Sequence, residues 1–214
     1  MIWVIWVILV VLFASACSQA AEVDDGCPDV YFVGARGSGQ PPGFGPQVDD
    51  LYGQFVEAAD ADVERVSLDY PADQSRFGDS TVYGESVEAG AMELPVALAS
   101  LECPDAAVVL AGYSQGAHVI TVADLPAVDA VILLASPVFA PNDATAKSGD
   151  YNPDQVGLVD EVPINGALAD RTIQVCLSGD PICQFGSIAF WVHSGGYFDD
   201  ALSEAAAFAA DRLP

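Results

Sequence analysis

Gly112-Tyr113-Ser114-Gln115-Gly116 sets a serine between two glycines, after the apolar run Ala106 to Ala111 and before residues suited to a helix, Gln115 to Val122. A buried strand that turns sharply into a helix pushes the intervening side chain outward. The glycines leave room for so tight a turn, and the free N–H groups at the helix start favour an oxyanion formed when the serine attacks a carbonyl. A serine is a weak nucleophile at neutral pH, so it needs a base within hydrogen-bond reach and a carboxylate to fix the base's tautomer. Only His118 and His193 are available. His118 lies four residues past Ser114 on the same helix and is expected to pack there as a structural side chain. His193 follows the last strand region, where the base arrives in the chain order Ser, Asp, His. It is the expected base. Acidic residues are so common here that position must select the carboxylate. Asp180 stands just after the last strand, inside Cys176-Leu177-Ser178-Gly179-Asp180-Pro181-Ile182-Cys183. A disulfide closing that loop would hold the carboxylate rigidly enough to orient the imidazole.

The elements that must position these residues follow a regular order. Val30 to Val33, Val63 to Leu68, Ala106 to Ala111, Val128 to Ala135 and Thr172 to Cys176 read as strands. Between and after them, Pro46 to Asp60, Ser86 to Glu102 and Asp199 to Arg212 read as helices, the second containing Pro95, which should kink it. Ser75 to Gly84 reads as a polar loop. Ser136 to Asp170, rich in Pro, Asn and Asp, reads as a long loop with little regular structure and no amphipathic lid. Strands alternating with helices predict a parallel sheet of about five strands covered on both faces, in one α/β domain over residues 22–214. The glycines in Gly34-Ala35-Arg36-Gly37-Ser38-Gly39, at the end of the first strand, imply a backbone that bends close to something.

Composition narrows the partners. At 214 residues with 52% hydrophobic content the chain suits one globular unit with a sizeable core. Six Lys plus Arg against 31 Asp plus Glu give a formal charge of −25, which argues against nucleic acid or an anionic membrane surface and for a neutral substrate. Ile2 to Ala14 is an apolar run too short for a membrane span and is followed by Ala14-Ser15-Ala16, so residues 1–21 read as a secretory signal peptide. Export permits disulfides and leaves Cys27, Cys103, Cys176 and Cys183 as an even set. Cys17 remains. Ala14-Ser15-Ala16-Cys17 resembles a lipobox, which would anchor the protein through an acylated Cys17; simple cleavage between Ala16 and Ala21 is the other reading.

The Gly-Tyr-Ser-Gln-Gly elbow, Ala35-Arg36-Gly37-Ser38, the Cys-x-x-x-Asp-x-x-Cys loop and His193 together resemble the cutinase family of small secreted serine esterases. The likeness runs from Cys27 to the last helix. It implies an α/β-hydrolase fold without a lid domain, Ser114, Asp180 and His193 as the catalytic triad, and Ser38 with Gln115 as the oxyanion hole. It also implies bridges Cys27 to Cys103 and Cys176 to Cys183. Family members usually carry a tyrosine three residues after the histidine; here Tyr197 comes one residue later, which would displace the base loop.

These features describe a monomeric carboxylic ester hydrolase that needs no metal or cofactor. A non-catalytic surface protein with the same fold, and an acyltransferase sharing the covalent step, are the competing readings. The apolar loop Phe185 to Trp191 beside His193 is either a surface for an acyl chain or lipid, or ordinary core packing.

Overall fold

The apolar runs of the sequence become the strands of a single all-parallel sheet in the order β2 (Val63–Ser67), β1 (Val30–Ala35), β3 (Ala107–Tyr113), β4 (Ala130–Leu134), β6 (Thr172–Val175) and β5 (Ala146–Ser148). The structure is a computed structural model that describes residues 26–74, 80–160, 162–164 and 166–214. The expected leader, residues 1–21, and its Cys17 lie outside the described residues. Strands β1, β3, β4 and β6 form the buried centre, with β2 and β5 at the edges.

Alternation along β1 sorts the core into two layers. Val30 and Phe32 point to one face, where α1 (Pro46–Ala59) supplies Val48, Leu51 and Phe55 and α5 (Asp200–Ala210) supplies Leu202 and Ala206. Tyr31 and Val33 point to the other, against Val87, Leu94 and Leu98 of α2 (Thr81–Ala99) and Ala117 and Ile120 of α3 (Gln115–Val122). Each fully buried side chain of this size contributes about 1.5–3 kcal/mol. This is the expected α/β-hydrolase architecture. Because all the strands run parallel, the carboxyl ends of β1, β3 and β6 lie along one edge of the sheet, which is where such sheets hold their sites.

Three local expectations change. The segment Ser136 to Asp170 carries a sixth strand, β5, and runs into a 3-10 turn, Gly166–Arg171. Three residues are too few to show an alternating pattern, and β5 is held by side chains instead: Lys147 Nζ lies 2.6 Å from Asp143 Oδ1, and Gln174 of β6 donates to Asp143 Oδ2 at 3.1 Å. Helix α2 starts at Thr81, inside the span read as loop, because polar residues in its first turn face solvent and hide the period. It continues through Pro95. Finally, a short helix, α4 (Phe190–Gly195), carries His193.

Candidate active site

Ser114 sits at the junction of β3 and α3 with φ 53° and ψ −114°, a strained conformation worth about 1–3 kcal/mol. Surrounding bonds impose it. The Ser114 N–H donates to Leu134 O at 2.9 Å, and Ser114 O accepts the His118 N–H at 3.1 Å. A Cβ at Gly112 would meet the Gly116 carbonyl carbon at 2.5 Å, and one at Gly116 would collide with the Ala35 carbonyl oxygen. Both glycines are therefore required by close backbone approach.

His193 Nε2 lies 3.1 Å from Ser114 Oγ, and its Nδ1 lies 3.0 Å from Asp180 Oδ2. With Nδ1 donating to the carboxylate, Nε2 is left to accept the serine proton. Asp180 is fully buried, so its charge needs donors. It has them: Ile182 N–H donates to Oδ1 at 2.8 Å and Tyr197 OH donates to Oδ2 at 2.7 Å. The Cys176–Cys183 bridge closes the loop around it. Tyr113 completes the support, stacking on the imidazole at 5.1 Å while its hydroxyl donates to His193 O at 2.6 Å. Burial first, then the Asp180 charge, pushes the pKa of both Tyr113 and Tyr197 upward, so both phenols stay protonated donors.

Tyr197 corrects one sequence expectation. Its later position does not dislodge His193, which stays within 3.1 Å of Ser114 Oγ. His193 sits on the short helix α4, and the hydroxyl of the buried Tyr197 donates to Asp180 while also accepting the Leu177 N–H at 3.1 Å.

Ser38 lines the same cleft as Ser114 and His193. Gln115 opens α3, so its N–H has no carbonyl one turn back within the helix. The loop holding Ser38 is fixed by groups that sequence reasoning passed over. The buried Arg36 guanidinium donates to the carbonyls of Gln40, Leu68, Tyr70 and Pro71. An amide relay then runs to α4: Gly37 N–H to Gln40 Oε1 at 2.8 Å, Gln40 Nε2 to Gln47 Oε1 at 2.7 Å, and Gln47 Nε2 to Ser194 O at 3.1 Å. The Gln115 side chain is buried and donates to Asp73 O at 2.9 Å. A lone Gln gives no sequence signal for such a role.

The cleft has a volume of about 730 Å³ and is walled on one side by Pro137, Leu158, Val159 and Ile182. Ser114 is half-buried at its base. Next to His193, Phe185, Ile188, Phe190 and Trp191 are 62% to 82% exposed, so this loop is surface and not core. His118 stands apart from the serine hydroxyl, its Nδ1 3.1 Å from Tyr83 OH, and burial lowers its pKa. The two bridges expected from the resemblance, Cys27–Cys103 and Cys176–Cys183, are both present.

The family model described as Cutinase matches residues 26–213. A phospholipase of Mycobacterium tuberculosis, Culp4, is 29% identical over 88% of this chain and 80% of its own length. A cutinase of Botryotinia fuckeliana is 30% identical over 78% of this chain and 75% of its own. Among solved structures, an acetyl xylan esterase superposes with a TM-score of 0.71 at 25% identity, covering 88% of this chain and all of its own.

Proposed function

The chain belongs to the cutinase family and is a serine carboxylester hydrolase; from that premise we propose that Ser114, His193 and Asp180 act together through an acyl-enzyme. Ser114 Oγ attacks the ester carbonyl carbon as its proton passes to His193 Nε2. Asp180 holds the imidazole and offsets its transient positive charge. The carbonyl oxygen becomes an oxyanion, which the Gln115 N–H and Ser38 stabilise. Collapse breaks the bond to the alcohol oxygen, and the alcohol leaves with the proton from His193. Water then repeats the sequence on the acyl-serine, releasing the acid and restoring the serine.

The observation that carries this reading is the unbroken bond chain from Ser114 Oγ through His193 to the buried Asp180, at 3.1 Å and 3.0 Å. The relatives include a phospholipase, a cutinase and an acetyl xylan esterase. The exposed apolar rim around Trp191 and the charge of −25 favour an uncharged ester with an apolar part. Two disulfides fit an oxidising, extracellular setting, with residues 1–21 directing export of a monomer. Ser114→Ala and His193→Ala should each lose roughly 10⁴-fold or more of kcat for p-nitrophenyl butyrate with circular dichroism intact. Turnover near the parent's in either folded variant would remove the mechanism.

A further inference from the structure

Beside the main cleft, between α2 and α3, lies a second cavity of about 530 Å³. Ser80, Tyr83 and Val159 line both, so the two spaces meet at Tyr83. Beyond it the walls are apolar, formed by Val87, Ala91 and Val122, with His118 among them. Two of the polar atoms there are committed to each other, since Tyr83 OH and His118 Nδ1 pair at 3.1 Å. Burial lowers the His118 pKa, which keeps the imidazole uncharged near neutral pH.

We propose that this side cavity is a second substrate subsite, which receives the distal part of an uncharged alkyl or acyl chain whose ester group lies at Ser114. The inference rests on the Ser114 reading given above. Distance sets its selectivity. His118 is one turn along α3 from Ser114, about 6 Å, so a butyryl chain ends in the main cleft while a dodecanoyl chain passes Tyr83. An anionic tail would exchange water for Val87, Ala91 and Val122 with no cation among the lining residues to replace its hydration. It would also meet the exposed Glu88. A methylene seated there should raise kcat/KM about fourfold.

Two substitutions fill the space from opposite helices. Gly84 on α2 has open space where a Cβ would stand, and Val122 on α3 is 42% exposed, so Gly84→Phe and Val122→Trp can be accommodated. The readout is kcat/KM for p-nitrophenyl dodecanoate divided by that for butyrate. The ratio should fall at least fourfold in each variant, the equivalent of one methylene unseated. Val96→Trp, on the exposed side of α2, should leave it unchanged. A smaller fall in a folded Gly84→Phe or Val122→Trp protein overturns the proposal. The unsubstituted protein gives a second readout, because it holds only two histidines. A dodecyl phosphonate adduct of Ser114 should shift the His118 ring resonances, and an ethyl phosphonate adduct should not. Equal His118 positions in the two adducts overturn the subsite. Loss of all Ser114-dependent ester turnover in the parent would instead overturn the reading beneath it.

Discussion

Graded reduction should open the two disulfides in turn, with opposite consequences for stability and activity. Cys27 is exposed and Cys103 half-buried, whereas Cys176 and Cys183 are fully buried. Thiolate attack needs access to sulfur, so Cys27–Cys103 should open first, in the intact fold. It joins residues 76 apart. On the loop-entropy relation its loss costs about 4.5 kcal/mol, against about 2.5 kcal/mol for the bridge spanning 7. Yet Cys27–Cys103 sits at the amino ends of β1 and β3, far from Ser114 at the carboxyl end of β3. Mild reductant should therefore lower the urea midpoint sharply while butyrate turnover at 25 °C persists. The assay is alkylation and peptide mass to identify the open bridge, with turnover and urea unfolding on the same samples. Activity lost in step with Cys27–Cys103 alkylation, before Cys176 is labelled, would refute the reasoning.

Other outcomes follow from single contacts. Tyr197→Phe removes the 2.7 Å donor to Asp180, which should cost about 1.5–3 kcal/mol of stability and lower kcat roughly tenfold or more with a smaller effect on KM; a kcat equal to the parent's would contradict the positioning role. Asp143→Asn leaves the buried Lys147 ammonium without its counter-charge and should destabilise by about 3–5 kcal/mol in urea unfolding; a loss below that range would mean that neutral acceptors suffice. Burial raises the Asp143 pKa, but bonds from Lys147, Thr145 and Ile164 outweigh it and hold the folded value below 3.8. Its contribution is thus complete above that pH and fades as acid titrates the folded carboxylate, a slope that Asp143→Asn should abolish. Tributyrin hydrolysis should rise hyperbolically through the solubility limit, because the described residues between β4 and β6 form β5 and a 3-10 turn and no lid helix; a jump at emulsion would contradict this.

The framework was legible because its signals are local. Apolar runs bounded by glycines mark β1 and β3, and a shared motif order marks Ser114, Asp180 and His193. What stayed hidden depends on contacts between distant residues. Gln40 and Gln47 carry no pattern, and their relay to Ser194 exists only once the fold brings the start of α1 within hydrogen-bond reach of α4. Tyr197 misled for a related reason: counting from His193 assumes an extended loop, and a turn of helix changes where the next side chain arrives. Strand β5 was invisible because three residues stabilised by Lys147 and Asp143 show no periodicity. The cavity beside His118 requires both α2 and α3 and has no sequence signature of its own.

The most direct test of Ser114 as the His193-activated nucleophile is the site and rate of labelling by a fluorophosphonate, read by peptide mass. One label is expected, on the peptide containing Ser114, forming at least 10³-fold more slowly, on the order of a lost general base, in His193→Ala. A label on any other residue, or an equal rate in His193→Ala, would contradict it.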